Sequence, residues 1–232
     1  MRVLAIDTAM NGCVTGLLDT DSGERFAISE QMARGQAEKL VPLIQAVLIK
    51  AGLDFPDLGL IATTVGPGAF TGLRIGLSTA RAMGLALNIP VVGVTTLSVL
   101  AAAYLSQHRI DKNFLVLIET KRSDFYGQYF SPMGNTLSEP FALPAEVIVD
   151  TYLDQPVVLV GDANDRFLSL LPADKKGLIQ AVAGFEVPDA DFISRIAYAR
   201  YESGDTASVP EPLYLRGADV SQSKRIQRVI ED

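Results

Sequence analysis

The chain has 232 residues, of which 48% are hydrophobic and 20% are charged. It is therefore long enough for one large or two small packed domains, and too apolar for a disordered segment. The formal net charge of −7 disfavours tight binding of nucleic acid by the chain alone, because such binding depends on neutralising phosphates.

The sequence gives no indication of a targeting signal, and it predicts no disulfide. No apolar run reaches the roughly 20 residues that cross a bilayer, and Asp7 interrupts the segment where a signal peptide would continue its apolar core. Cys13 is the single cysteine and has no internal partner for a disulfide. These features predict a cytoplasmic protein without a membrane contact.

The first half of the chain begins with three short strands and continues with alternating helices and strands. Alternating apolar residues and turn residues predict the strands, and a 3.6-residue apolar period with Gly52 as a stop predicts the first helix. A threonine, Thr95 or Thr96, is expected to cap the third helix. The predicted strands are 3–7, 13–18, 24–31, 60–65 and 91–94, and the predicted helices are 36–51, 71–87 and 96–105.

The second half repeats this order from residue 114, which suggests a duplication with a period of roughly 110 residues. The predicted strands are 114–119, 126–130, 137–143, 157–160 and 178–182, and the predicted helices are 145–152, 163–170 and 189–202. Three antiparallel strands before the alternating part differ from a dinucleotide-binding fold and match a ribonuclease H-like unit. The sequence therefore predicts an α/β protein with two tandem ribonuclease H-like lobes, the architecture shared by actin, sugar kinases and heat-shock ATPases. The expected lobes are 1–106 and 107–204, and residues 205–232 are expected to pack back across them.

The strongest local motif is the glycine-rich segment 66–76, which leaves a buried strand and opens a helix. Glycines allow close approach of a ligand or of another backbone, helix N-terminal amides favour an anion, and Arg74 offers a further anion-binding group. The alternative is a tight turn capped by Thr71. Together with residues around the end of the first strand, these positions are candidates for loops that bind phosphate or a nucleotide. The candidates are Asp7, Thr8, Gly12, Gly66, Gly68, Thr71, Gly72 and Arg74.

A stripe of small residues follows this loop on helix 71–87. Gly72, Gly76, Ala80 and Gly84 recur at steps of four, although each glycine inside a helix costs about 1 kcal/mol relative to alanine. The stripe predicts close approach of another helix, either the internal helix 36–51 or a helix of a partner chain.

Groups for catalysis are scarce in the sequence. Asp7 ends the first strand as in the first phosphate loop of actin-like ATPases, but Glu119 at the matching position is followed by Thr120-Lys121-Arg122 without a glycine. The sole histidine, His108, lies in a polar linker and cannot make a two-histidine metal site alone. We therefore predict no catalytic residue and no metal site, and a role as scaffold or activator.

Five segments in chain order carry a resemblance to a known family. They are MRVLAIDTA (1–9), GPGAFTGLRIG (66–76), GVTTL (93–97), IETKRSDFY (118–126) and PLYLR (212–216). Together they closely resemble the TsaB (YeaZ) family of tRNA threonylcarbamoyladenosine biosynthesis. The resemblance implies a cytoplasmic, non-catalytic subunit of the machinery that forms N6-threonylcarbamoyladenosine at adenosine 37 of tRNA (t6A37).

The resemblance also implies partners. A catalytic paralogue of the TsaD type carries the metal-binding histidines and performs the transfer, a small ATPase of the TsaE type docks on the pair, and tRNA is contacted only through the complex. No cofactor is expected to be firmly bound, and ATP or ADP, where present, is expected at the interface with the partner. Pairing, or self-association of the chain when alone, is expected through helices 36–51 and 71–87. The interface candidates are Leu40, Leu43, Ile44, Val47, Gly72, Leu73, Gly76, Leu77, Ala80 and Gly84.

Three positions depart from the family pattern. Gln36 stands where many members have histidine, Glu119-Thr120-Lys121 replaces the usual Asp-Ala-Arg, and Ala69 replaces a frequent serine. The last change removes a hydroxyl contact from the glycine loop.

The sequence leaves two alternative functions and the role of one basic cluster undecided. An ATP-dependent kinase or ATPase of the same fold is the alternative function, and a metallopeptidase is a remote one. The basic residues Lys224, Arg225 and Arg228 are either a solvated tail or a contact with tRNA or a partner.

Overall fold

A computed structural model describes residues 1–109, 111–205 and 209–216. The elements of the first half are β1 (Arg2–Asp7), β2 (Gly12–Asp19), β3 (Arg25–Gln31), α1 (Gln36–Ala51), β4 (Leu60–Thr64), α2 (Phe70–Leu87), β5 (Val91–Val94) and α3 (Thr96–Gln107). The elements of the second half are β6 (Phe114–Glu119), β7 (Asp124–Phe130), β8 (Phe141–Pro144), α4 (Ala145–Tyr152), β9 (Val157–Val160), α5 (Asn164–Leu170), β10 (Ile179–Ala181) and α6 (Ala190–Glu202). The order β-β-β-α-β-α-β-α thus occurs twice, as the sequence predicts.

Each half forms one five-stranded mixed sheet. The strand order is β3-β2-β1-β4-β5 in the first sheet and β8-β7-β6-β9-β10 in the second, so equivalent strands occupy equivalent places. In both sheets the first two strand pairs are antiparallel, and the following strands run parallel to the central one. The predicted α/β fold of two ribonuclease H-like units is confirmed.

Helices cover both faces of the first sheet because side chains of β1 alternate between them. Leu4 and Ile6 pack against α1 and α2 on one face, while Val3 and Ala5 pack against α6 on the other. The second sheet is covered by α3 on one face and by α4 and α5 on the opposite face. No helix among the described residues has both the length and the apolar character needed to cross a bilayer.

Helices α3 and α6 connect the two halves, because each of them packs on the sheet of the other half. Helix α6 follows the second sheet in sequence, yet it packs on the first sheet and contacts α3. The lobe boundaries predicted at residues 106 and 204 stay predictions. Of the expected tail, Lys224, Arg225 and Arg228 lie outside the described residues.

Two sequence predictions need correction. Strand β8 begins at Phe141 rather than Leu137, because Pro140 lacks the amide hydrogen that a strand ladder requires. Helix α2 begins at Phe70 and its N-cap is Ala69, without a side-chain hydrogen bond. Thr71 is therefore inside the helix and does not cap it, and the third helix is capped by Thr95, whose hydroxyl accepts from the Ser98 amide.

Candidate functional site

A cleft of about 480 Å³ lies where the ends of the two sheets face each other. Its walls come from the turn after β1, the glycine loop before α2, the turn after β6 and the loop after β9, together with residues 213–216. Loops at the carboxyl ends of parallel strands are the usual place for ligand sites in α/β folds. We call this space the interlobe cleft.

Asp7 ends β1 beneath the first-lobe wall of the cleft and is fully buried. Its Oδ1 accepts hydrogen bonds from the Thr64 hydroxyl at 2.5 Å and the Ala9 amide at 3.2 Å, whereas Oδ2 has no partner among the described residues. Burial raises the pKa of Asp7 to about 6, against the lowering effect of these two hydrogen bonds. The side chain is therefore part of the lobe interior and does not line the cleft.

Thr8 joins the turn after β1 to helix α2. Its hydroxyl donates to the Gly72 carbonyl at 2.6 Å and accepts from the Gly76 amide at 2.9 Å. The side chain is buried, so both hydrogen-bonding functions of the hydroxyl are used inside the protein.

The glycine loop packs directly on this turn. A Cβ at Gly72 would lie 2.0 Å from the Thr8 carbonyl oxygen, and one at Gly68 would lie 2.3 Å from the Ala9 carbonyl oxygen. The Ala69 amide donates to that same Ala9 oxygen at 2.7 Å. Close approach of two backbones thus explains both glycines.

The residues predicted to form phosphate- or nucleotide-binding loops therefore lie in different surroundings. Gly68 and Arg74 line the interlobe cleft, whereas Gly66 is buried with φ of +101°. A Cβ at Gly12 would lie 2.9 Å from Val187, so Gly12 contacts that residue's loop. Binding of phosphate by these loops stays a prediction.

The second-lobe wall is built from charged side chains. Asp162, after β9, accepts from the Glu119 amide at 2.8 Å, and its pKa is raised to about 6, mainly by burial and also by the neighbouring Glu119 charge. Arg166 donates to Glu119 Oε2 at 2.6 Å and to the carbonyls of Arg122 and Asp124 at 2.6 and 2.7 Å. Arg166 thereby fixes the turn that presents Lys121 and Arg122.

Sequence reasoning did not select Asp162 or Arg166. Asp162 follows Gly161 immediately after β9, in the loop that corresponds to the loop after β4 in the first half. Comparing the two loops could have drawn attention to the acid. Arg166 gives no such signal, because its partners lie more than forty residues away in the chain.

Residues 209–216 form an extended segment along the cleft, which we call the strap. On the first lobe, the Leu213 amide donates to the Val65 carbonyl at 2.7 Å, and Arg81 donates to the Pro210 carbonyl. The Tyr214 hydroxyl accepts from Arg74 Nε at 3.1 Å. These contacts attach the strap to the loop before α2 and to α2 itself.

The strap reaches the second lobe through Arg216, which forms an ion pair with the largely buried Asp124 of β7. The Thr120 hydroxyl also donates to Asp124 Oδ1 at 2.9 Å. The strap therefore contacts both lobes and closes one side of the interlobe cleft.

The interface candidates do not lie on the surface. All of them are buried inside the first lobe: Leu40, Leu43, Ile44, Val47, Gly72, Leu73, Gly76, Leu77, Ala80 and Gly84. The glycines of the stripe pack on groups of the first lobe, because a Cβ at Gly72 or Gly76 would meet Thr8 and one at Gly84 would meet Val91, while Ala80 packs in the core cluster that contains the buried side chains of α1. This corrects the assignment of a contact surface to these residues.

Other residues of the same two helices are exposed. Val41 and Ile49 of α1 are 47% and 77% exposed, and Leu85 of α2 is 86% exposed. Residues 41, 45 and 49 share one side of α1 at four-residue steps. We call the exposed sides of α1 and α2, with Val41, Gln45, Ile49 and Leu85, the outer helical face.

The remaining sequence candidates have local roles. The Gln36 amide donates to the Met32 carbonyl at 3.3 Å, and His108 stacks on Tyr104 with ring centroids 4.7 Å apart. Within residues 1–109, 111–205 and 209–216, no three His, Cys, Asp or Glu side chains are grouped so that they could hold a metal ion.

Comparison with known proteins gives a consistent set of relatives. The family model described as TsaD: tRNA N6-adenosine threonylcarbamoyltransferase matches residues 28–182. The tRNA threonylcarbamoyladenosine biosynthesis protein TsaB of Escherichia coli (strain K12) is 29% identical over 224 residues, covering 93% of this chain and 95% of the relative. The protein of the same name from Buchnera aphidicola subsp. Baizongia pistaciae is 31% identical over 171 residues, covering 71% and 76%.

A solved structure shows the same fold. YeaZ from Pseudomonas aeruginosa superposes with a TM-score of 0.77 at 24% identity, covering 92% of this chain and 99% of that one. The similarity extends over both sheets, because the two chains are covered almost completely.

Proposed function

Since the chain belongs to the TsaB (YeaZ) family and has a role in the biosynthesis of threonylcarbamoyladenosine in tRNA, we propose that it is a non-catalytic subunit of the t6A37-forming complex. In this role it binds and activates a catalytic paralogue of the TsaD type, and an ATPase of the TsaE type docks on the pair. Transfer RNA is contacted through the complex, in keeping with the net charge of −7 on this chain.

The outer helical face is the observation that carries the proposal. Large apolar side chains that stay exposed on adjacent elements are typical of interaction surfaces. Val41, Ile49 and Leu85 are such side chains, and the helices that carry them pack side by side on one face of the first sheet. Covering them with another chain would remove apolar surface from water, and this burial stabilises a complex by about 25 cal/mol per Å².

The match to a TsaD family model over residues 28–182 supports a partner of related architecture. Two chains of one fold can pair through equivalent surfaces around an approximate twofold axis, as identical chains do. Helices equivalent to α1 and α2 in the partner would then complete a four-helix contact. The same geometry favours self-association of this chain when the partner is absent, and a bound ATP or ADP belongs at that interface in our proposal.

The test is association with the TsaD-type paralogue of the same organism, measured as molar mass by light scattering during chromatography. Leu85→Glu or Ile49→Glu should weaken the complex at least roughly tenfold, because a charge would be buried in an apolar contact. Met133→Glu is the matched control, since Met133 is also 86% exposed but precedes β8 in the second sheet. It should leave the complex unchanged.

A complex that tolerates Leu85→Glu and Ile49→Glu would remove the outer helical face from the proposal. Transferase activity or ATP turnover by the purified chain would contradict its non-catalytic role. Gly76→Leu and Gly84→Leu cannot serve as interface probes, because a Cβ at these glycines would lie 2.7 Å from the Thr8 hydroxyl and 2.3 Å from Val91.

A further inference from the structure

A second groove lies in the second lobe, between helices α4 and α5. Its volume is about 450 Å³, and grooves of this size accept small molecules or peptide side chains. Its lining combines apolar residues with two acids and one base. The lining residues are Ser123, Ala145, Glu146, Val149, Asp150, Arg166, Leu170 and Pro172. We call this space the α4–α5 groove.

The α4–α5 groove carries uncompensated negative charge. Glu146 and Asp150 lie four residues apart, and therefore on the same side of α4, and both are exposed. Within the described parts of the chain, neither carboxylate forms an ion pair. Arg166 does not neutralise them, because its three guanidinium nitrogens all donate to other groups, among them the carboxylate of Glu119.

Apolar residues form the rest of the groove. Ala145 and Val149 are buried and form its floor, whereas Leu170 of α5 is 51% exposed at its edge. A large apolar side chain that stays in contact with water beside a groove is typical of a surface that another segment covers. An occupant should therefore combine basic and apolar side chains.

The strap brings the chain next to this groove. Arg216, the last described residue of the strap, forms an ion pair with Asp124. Asp124 follows the lining residue Ser123, and in the ladder of β7 and β8 it lies opposite Pro144, which directly precedes α4. The sequence beyond Arg216 therefore starts beside the N-terminal end of α4.

That sequence has the complementary character. Residues 224–230 read KRIQRVI, so basic and apolar residues alternate within one short segment. Ile226, Val229 and Ile230 recur at the three- and four-residue steps that place apolar side chains on one side of a helix. The segment thus offers positive charge for the acids of the groove and apolar surface for its floor.

The length of the connection also suits the groove. The eight steps from Arg216 to Lys224 span at most about 29 Å when fully extended, whereas α4 with its 8 residues is about 12 Å long. A short connection gives the tethered segment an effective concentration on the order of millimolar at the groove. Weak individual contacts are therefore sufficient for occupancy.

We propose that segment 224–230 binds in the α4–α5 groove of its own chain. Its basic side chains pair with Glu146 and Asp150, and its apolar side chains cover Leu170 and the floor of the groove. The basic cluster is then used inside the protein, which differs from both roles that the sequence leaves open for it. Docking of this kind needs no partner, since the groove belongs to the second lobe and the outer helical face to the first.

Cross-linking of the full chain with a carbodiimide at low salt tests the proposal, because this reagent joins a carboxylate and a primary amine where they touch. Mass spectrometry of the digested monomer should find an amide between Lys224 and Glu146 or Asp150. Glu146→Gln combined with Asp150→Asn should lower the yield of cross-linked Lys224 at least tenfold. The matched control is Glu139→Gln combined with Asp111→Asn, which removes two exposed acids that do not line the groove, and it should leave the yield within twofold.

Mixing an isotope-labelled with an unlabelled preparation before cross-linking identifies the occupant. Links within one chain support the proposal. Links found only between labelled and unlabelled chains would assign the groove to a second copy and overturn it. A monomer in which Lys224 is not linked to either acid of the groove also overturns it.

Amide hydrogen exchange of the full chain gives an independent measure. Arg225→Glu combined with Arg228→Glu should expel the segment and speed exchange in residues 145–152 at least roughly threefold, while exchange in α1 stays the same. Unchanged exchange in α4 overturns the proposal. Loss of tRNA binding as the single effect of these two substitutions would assign the basic cluster to RNA and overturn it as well.

Discussion

The two lobes share one topology but differ where they face the interlobe cleft. In the first lobe, backbone contacts between the turn after β1 and the glycine loop form the wall, and Asp7 lies buried beneath it. In the second lobe, the equivalent strand end carries Glu119, which pairs with Arg166 beside the half-buried Asp162. A duplicated frame can therefore keep its strand order while one strand end becomes a rigid backbone contact and the other a charged surface.

The difference assigns separate roles to the two walls. The first-lobe wall has little freedom, because an added Cβ at Gly68 or Gly72 would meet a carbonyl oxygen. The second-lobe wall carries charged side chains, and exchange of Lys121 leaves the hydrogen bonds from Arg166 to the turn in place. Substitutions in the first wall should therefore change the stability of the protein most strongly.

The largest expected effect comes from breaking the first wall with Gly72→Ala. The new Cβ would lie 2.0 Å from the Thr8 carbonyl oxygen, so the free energy of unfolding should fall by roughly 3 kcal/mol or more. Gly177→Ala is the control, since a Cβ there meets nothing within 4 Å, and it should change stability by less than about 0.5 kcal/mol. Urea unfolding measures both variants, and equal stability of the two would show that the loops can separate without cost.

A smaller effect on the free energy of unfolding is expected from one carboxyl group in each lobe. The pKa of Asp7 and that of Asp162 are both raised from 3.8 to about 6 by burial. The folded protein then holds these protons more tightly than the unfolded chain. Their stabilising contribution is full below about pH 4 and is lost as the pH rises through 6, by about 1 kcal/mol per group between pH 5 and 6.

The measurement is the free energy of unfolding from pH 4 to 7. Asp7→Asn and Asp162→Asn should each reduce the fall of the free energy of unfolding with rising pH, by the contribution of the carboxyl group that the substitution removes. A steeper decline in either variant would have the wrong sign for a raised pKa. If Asp7→Asn keeps the full wild-type slope while Asp162→Asn removes it, the buried first-lobe acid is not the titrating group.

Local sequence signals predicted much of the fold. Helix α1 and strands β5, β6 and β9 lie at the predicted residues, because apolar periodicity and terminal Gly or Pro residues are properties of the segment itself. The packing of α6 on the first sheet was not predictable in this way. It depends on a contact such as that of Gly16 with Ala190, which joins residues far apart in the chain.

The candidate site was predictable only in part for the same reason. The glycine stripe of α2 shows in the sequence that something approaches closely, but not that Thr8 and Val91 are the groups involved. Likewise, Arg74 was selected from its motif, whereas Lys121, Arg166 and Arg216 acquire their positions from turns and long-range hydrogen bonds.

The smallest expected effect restores a missing cap on the first wall. Ala69 is the exposed N-cap of α2, and its side chain has no oxygen that could accept a hydrogen bond from a helix amide. Ala69→Ser should therefore raise the free energy of unfolding by about 1 kcal/mol. The same change on the exposed middle of that helix, Ala82→Ser, should lower it by a few tenths of a kcal/mol, roughly 0.5. Urea unfolding of both variants decides the matter. If Ala69→Ser is no more stable than Ala82→Ser, the new hydroxyl does not accept from the first amides of α2, and the start of the helix depends on the backbone contact between the Ala69 amide and the Ala9 carbonyl.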